Sequence, residues 1–426
     1  MKKINLPSLK EHYYYFKHES GLDVYLMPKK DYHKTYATLS TNFGSTNEYM
    51  MNAENEIIEI PQGVAHFLEH KLFEQSNMDI SEAFAMDQAS VNAFTSNQGT
   101  TYLFSSTDHV LRNTKRLLEF VLNPAFTEQG IQKEIPIISE EIMMYQDSHH
   151  TRMYLSTLNN LYHHHPVKND ILGTVESISK LNVSLLEDIH NAYYHPSQMM
   201  LFVIGQFTLD DMEQTINDTL KPMTFTKRLK PYRKDFQEPE NVKEASKKLT
   251  MDILMPDMLV GIKLKPSING IKEELIYTMI LQEFFSQSSD FYQSLLEENI
   301  INDSYGYDIT LNQSYGNIII GSETVHPKEL AKKIIEYAKS ISVKTIDEKS
   351  INRMKRQLTG NFVQSLNHLE YIANQFVKYR FFDEDIFRFL PIIDDITAED
   401  IKEHLIYFAR EDIYTEVIVY PKKKMT

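Results

Sequence analysis

The sequence predicts an α+β protein of two homologous α/β-sandwich halves, each a mostly antiparallel sheet with helices packed on it. Runs such as 22–27 and 35–40 alternate apolar and polar residues, the period of half-buried strands. Runs such as 108–122 place apolar residues three and four apart, the period of a helix with one buried face. The order of these runs in the first half recurs in the second. At 426 residues, 42% hydrophobic and 24% charged, the chain is long enough for two domains with substantial cores.

In chain order, the strands at 22–27 and 35–40 flank the turn Pro28-Lys29-Lys30-Asp31, and Asn42 to Ser45 closes the second strand. A helix follows over the stretch Gly63 to His70, then a short one over 80–86. Residues 90–95 and 101–105 read as a strand pair joined around Asn97-Gln98-Gly99. Val110, Leu111, Leu117, Leu118 and Val121 give 108–122 its helical face. A further helix spans 127–146, and Pro136 requires either that it begins near there or that it kinks. Residues 183–194 read as a helix and 199–205 as a buried strand. From 221 to 247 Lys, Arg, Glu and Pro dominate and periodicity fades, which marks a linker between halves at 1–220 and 248–426.

The repeat places Asn312-Gln313-Ser314 where Asn97-Gln98-Gly99 stood, with the helix 327–340 after it. Asp400 to Val419 echoes Asp188 to Ile204. Only one copy carries a metal-type helix. The second reads Met279 to Phe285 without histidine, and the neighbourhood of Thr359-Gly360-Asn361 holds no carboxylate.

A formal charge of −15 argues against a nucleic-acid surface and favours neutral or cationic partners. With no cysteine, any zinc site must be built from His and carboxylate. The N-terminal stretch lacks a signal-peptide core, and no apolar run is long enough to span a bilayer, so a cytoplasmic protein is expected.

The chemistry concentrates at Gly63-Val64-Ala65-His66-Phe67-Leu68-Glu69-His70. His66 and His70, four apart, stack on one helix face, with Glu69 within reach of the same space. Two imidazoles and a carboxylate suit a divalent ion of zinc type, and His-x-x-Glu-His inverts the commoner zinc-peptidase order. A third ligand is expected from 127–146. Glu134 and Glu141 lie seven apart on one face, while Glu140 points about 100° away and is the weaker candidate. Three ligands leave a fourth position for water. His149-His150 and His163-His164-His165 read as surface or packing residues, since consecutive side chains diverge.

Gly63 through Phe73, Val91-Asn92-Ala93-Phe94-Thr95, Glu134 with Glu141-Ile142, and Tyr193 to Ser197 leading into the strand ending at Gly205 occur in one order. In these the chain resembles the pitrilysin/insulinase family of zinc peptidases, which includes the mitochondrial processing peptidase. It is especially similar to the short forms found as paired genes in Gram-positive bacteria. The resemblance implies a clamshell of the two halves, one Zn2+ per chain held by His66, His70 and Glu141, and Glu69 as catalytic base. It makes Glu134 a supporting carboxylate outside the ligand set and puts Asn92 and Ala93 on an edge strand along which substrate lies. It implies an endopeptidase acting on short or unfolded peptides.

In one place the chain departs from the family. Where active units present an Arg and a Tyr seven residues apart, Leu296 and Asp303 stand, with Tyr305 or Tyr307 nearby as substrate-binding candidates. Short family members take such groups from a metal-free paralogous subunit, so a heterodimer is expected, with a homodimer as the other form. The alternative reading is a non-catalytic or weakly active peptide-binding or assembly subunit of a peptidase complex.

Overall fold

Strand pairing organises the chain around two sheets of like topology. The structure is a computed structural model that describes residues 1–52, 54–75, 78–225, 229–267 and 269–422. The first part of the chain forms β1 (Lys2–Leu6), β2 (Glu11–Lys17), β3 (Asp23–Pro28), β4 (Thr35–Thr41) and the short β5 (Tyr49–Met51) and β6 (Ile57–Glu59). Helix α1 (Val64–Phe73), β7 (Glu74–Gln75), β8 (Met78–Asp79), α2 (Ile80–Ala85), β9 (Ser90–Thr95) and β10 (Thr100–Ser106) follow. Then come α3 (Val110–Leu122), α4 (Glu128–Asp147), α5 (His149–Leu161), α6 (Val175–Ile178), α7 (Val183–Tyr193), β11 (Met199–Gly205), α8 (Leu209–Leu220) and β12 (Lys230–Pro231).

The later part forms β13 (Ser246–Met251), β14 (Asp257–Leu264), α9 (Gly270–Phe285), α10 (Asp290–Glu297), β15 (Gly306–Leu311) and β16 (Gly316–Glu323). It ends with α11 (Pro327–Ser340), α12 (Glu348–Ser365), α13 (Leu369–Arg380), α14 (Phe389–Asp395), α15 (Ala398–Tyr407) and β17 (Tyr414–Pro421).

Two compact units result, and neither is a single stretch of chain. The first is Met1–Met143, Asn169–Lys234 and Ser365–Phe381; the second is Met144–Lys168, Asp235–Gln364 and Phe382–Thr426. The first unit's main sheet runs β1-β2-β3-β11-β4-β10-β9, and the second's runs β13-β17-β14-β16-β15. In each, one pair is parallel (β3 with β11, β13 with β17) and the remaining pairs are antiparallel. The second sheet therefore repeats the order β3-β11-β4-β10-β9. The predicted duplication and mostly antiparallel sheets are what the structure shows.

In the first unit, β3 alternates as expected. β4 does not: all seven of its residues are buried, because α3 and α13 both pack on it. Two of its hydroxyls are absorbed locally: Thr35 Oγ1 donates to the Gln206 carbonyl at 3.1 Å, and Ser40 and Thr101 hydroxyls lie 2.9 Å apart, while Thr38 Oγ1 is buried without a partner among the described residues. From α13, Phe376 stacks on Phe202 at 4.4 Å between centroids and meets Tyr13 and Tyr25 edge-on. Phe67 and Leu68, on the side of α1 away from its histidines, are fully buried and contribute about 1.5–3 kcal/mol each.

Gly63 sets the entry to α1. Its φ of +85° suits glycine, and a Cβ there would sit 2.2 Å from the Leu172 carbonyl oxygen. Gly173, also at positive φ, faces Gln62 just as closely. Two glycines thus let two backbones cross where the helix begins. Helix α4 starts at Glu128, so Pro136 lies in its interior and the helix does not begin there.

In the second unit, α5 packs on β14 and β17, and Met153 joins Met251, Val417 and Val419 in a small core. The stretch read as a linker, of which 226–228 lie outside the described residues, contributes a half-buried anchor. Glu238 accepts the backbone N–H groups of His163, His164 and His165 at 2.7–2.8 Å and the Lys263 ammonium at 2.6 Å. His165 itself is a packing residue, buried beside Tyr315 and Phe236.

Burial alone would raise the Glu238 pKa, but Lys263 and the three N–H groups outweigh it and hold the carboxyl at about 2. A depressed folded-state pKa gives stability that is complete above the unfolded value and lost as pH falls through the folded one. Glu238→Gln, which leaves the buried Lys263 uncompensated, should cost about 3 kcal/mol near pH 7, read from the urea midpoint. The wild-type advantage should shrink as pH falls from 4.5 toward 2.

Candidate metal centre

Helix α1 presents His66 and His70 one turn apart, with ring centroids 4.5 Å from each other. Glu141 of α4 meets both: its Oε2 lies 3.8 Å from His66 Nε2 and 3.8 Å from His70 Nε2. The three donor atoms all fall within 4.8 Å of one another. Donors held tetrahedrally at 2.0–2.1 Å from zinc stand about 3.3 Å apart. The group is therefore open by only a few tenths of an ångström at its two short edges. Glu140 is exposed, consistent with its direction on the helix.

The protonation of His66 and the orientation of the His70 ring suit a cation. Burial and the neighbouring His70 push the His66 pKa down to about 4, so its Nε2 lone pair is available near neutrality. His66 Nδ1 is buried without a protein partner among the described residues. His70 Nδ1 lies 3.0 Å from Glu134 Oε1. A carboxylate only accepts, so Nδ1 carries the proton and the Nε2 lone pair turns toward Glu141. That hydrogen bond is the main cause raising the His70 pKa. Glu134 thus orients the His70 ring without joining the three-donor group. Two imidazoles and a carboxylate, partly buried and pre-oriented, are a donor set that fits zinc.

Glu69 lies on the same helix, its pKa raised by burial against a hydrogen bond that lowers it. That bond comes from Thr95, whose Oγ1 donates to Glu69 Oε2 at 2.6 Å. Thr95 was not singled out as a site residue in the sequence, although it ends the run Val91–Thr95. It sits on β9, the edge of the sheet. Asn92 is exposed on that strand, its Oδ1 accepting the Ala93 N–H at 2.9 Å, and Ala93 is buried. Lys71 is almost wholly buried on α1 and ion-paired with Glu74.

Tyr305 and Tyr307 belong to the second unit. They line a cavity of about 610 Å³ with Thr278, Gln282, Gln357 and Asn361, Tyr305 buried and Tyr307 on the edge strand β15. Leu296 is exposed on α10.

Two family models match the chain. Residues 32–175 match the insulinase model of peptidase family M16, and residues 180–358 match a model described as the peptidase M16 inactive domain. A Bacillus subtilis protein, described as the uncharacterised zinc protease YmfH, is 38% identical over 99% of this chain and 100% of its own length. The chain belongs to peptidase family M16. An M16-like peptidase from Alicyclobacillus acidocaldarius has the same fold, with a TM-score of 0.91 and 29% identity over 96% of this chain and 98% of that one. Pitrilysin is alike in fold alone, with a TM-score of 0.73 and 18% identity over 97% of this chain and 45% of its own. The M16 matches and the zinc-protease relative agree with the metal type suggested by the donor set.

Removing the carboxylate behind His70 should leave the three-donor group intact but loosen it. Glu134→Ala is expected to weaken zinc binding about 10–100-fold, measured by competition with a chelator of known affinity.

Proposed function

We propose that this chain is a zinc-dependent endopeptidase for short or unfolded peptides, and that it is the catalytic subunit of a heterodimer with a metal-free paralogue. The observation that supports it best is Glu69, a proton acceptor held by Thr95 beside the converging His66, His70 and Glu141. In this reading His66, His70 and Glu141 would hold one zinc. The metal, when bound, supplies a Lewis acid and brings the pKa of water toward about 7.

The chain's own groups do the rest. Glu69 accepts a proton from the water that attacks the peptide carbonyl and passes it to the departing amine. A carboxylate with a raised pKa keeps the proton long enough for that transfer. Thr95 restrains the carboxylate in the orientation for it. Glu134 holds the His70 ring and its tautomer. Edge strand β9, at Asn92 and Ala93, pairs with an extended substrate through main-chain bonds. Only peptide without secondary structure of its own can present such bonds, which is why short or unfolded substrates are proposed.

In this reading residues 1–220 are the zinc half, 221–247 the connection and 248–426 the metal-free half, and the chain is cytoplasmic. No helix among the described residues is long and apolar enough to cross a membrane. Tyr305 and Tyr307 are proposed to contact substrate from the second unit. A second reading, a weakly active peptide-binding subunit, draws on Leu296 and on the inactive-domain description matched at 180–358. Purified protein carrying well under one zinc per chain would favour it.

Glu69→Gln separates binding from chemistry. It should keep its zinc and lose peptide cleavage by about 100-fold or more, assayed on a peptide mixture by mass spectrometry with and without the metal-free paralogue. Wild-type cleavage by the zinc-loaded variant would remove Glu69 as the base.

A further inference from the structure

A second group of side chains converges in the second unit, at residues whose spacing along the chain carries no sign of it. His149 and His150 open α5, and Asp257 opens β14. His149 Nε2 and His150 Nδ1 each lie 3.6 Å from the same Asp257 oxygen, Oδ2. The three donor atoms fall within 4.8 Å of one another, and the two rings lie 3.8 Å apart. Consecutive residues on a helix ordinarily point about 100° apart. Here the different ring nitrogens used, Nε2 from one and Nδ1 from the other, let both reach one point.

Hydrogen bonding does not account for this. A separation of 3.6 Å exceeds the length of an N–H···O bond. It is close to the roughly 3.3 Å between donors that share a zinc-sized ion. Asp257 is only 4% exposed, and among the described residues its ion-pair partners are these two imidazoles, with no Lys or Arg. A nearly buried carboxylate facing two imidazole nitrogens, with no Lys or Arg beside it, is short of fixed positive charge.

We propose that His149, His150 and Asp257 form a second divalent-metal site, separate from the first and structural in role. Two imidazoles select zinc, cobalt or nickel over calcium and magnesium. The ion would tie the first turn of α5 to the start of β14, two elements that already pack together. The positive end of the α5 dipole opposes a cation there, so this site binds more weakly than one built on a helix interior.

The test uses the full chain, stripped with chelator and dialysed against zinc chloride at neutral pH. His66→Ala/His70→Ala should retain one zinc per chain, and zinc should raise its melting temperature. Adding His150→Ala should abolish both the retained zinc and the thermal shift. His150 is largely exposed, so its loss does not threaten folding. Asp257→Asn in the same background should act alike. No zinc in the double variant, or zinc that persists with His150→Ala, overturns the proposal. One zinc in both wild type and double variant, lost with His150→Ala, supports it while removing the first group as a zinc site.

Discussion

The hydrogen bond from His70 Nδ1 to Glu134 is the constraint on which the first site rests. It joins α1 to α4, fixes the tautomer that leaves Nε2 bare, and uses a carboxylate seven residues before the one that meets both imidazoles. Without it, His70 could turn either nitrogen inward, and Glu141 would keep only His66 as a defined partner. The backbone supplies the rest of the precision. The Gly63–Gly173 crossing sets where α1 begins, and buried Phe67 and Leu68 set which face it turns to the core. A functional side chain is then held at both ends, by packing behind it and by a polar partner beside it.

The duplicated unit shows what the same scaffold does without that bond. There α9 and α12 are also bridged, by the ion pair of Arg353 with Glu283 at 3.0 Å and by two amides, Gln282 Nε2 donating to Gln357 Oε1 at 2.5 Å. Neither helix carries a histidine, and among the described residues no zinc-type donor group forms between them. What it keeps is an edge strand, β15, beside a cavity lined by Tyr305 and Tyr307. At this helix pair the units differ in a few side chains, laid over five strands of one order.

Most of the scaffold was legible because period-2 and period-3.6 patterns report burial directly. β3, β11, α3, α7 and α11 fall where those patterns lie. The reading failed where burial came from elements distant in sequence. β4 looked half-buried, yet α13, more than 300 positions later, helps cover it. Pro136 left the start of α4 undecided, since a proline mid-helix and one in a first turn look alike in sequence. The convergence of His66, His70 and Glu141 was legible because both histidines share a helix and Glu141 shares a face with Glu134. Thr95 was not, because a threonine in a strand is ordinary until a carboxylate is seen against it. His149 and His150 were read as diverging, and only the placement of Asp257 reveals their convergence.

Thr95 also links two parts of the proposed reaction that chemistry alone would leave independent. It is a residue of the edge strand, and its hydroxyl is 2.6 Å from the carboxylate of Glu69. A peptide that extends the sheet at β9 must pair with the same strand that restrains the base. Seating the substrate and aiming the proton acceptor then become one geometric condition instead of two. A loosely held or misregistered peptide would disturb β9, and through Thr95 the base with it. Discrimination in favour of extended chains would follow from that coupling, with no pocket needed to read the sequence of the peptide.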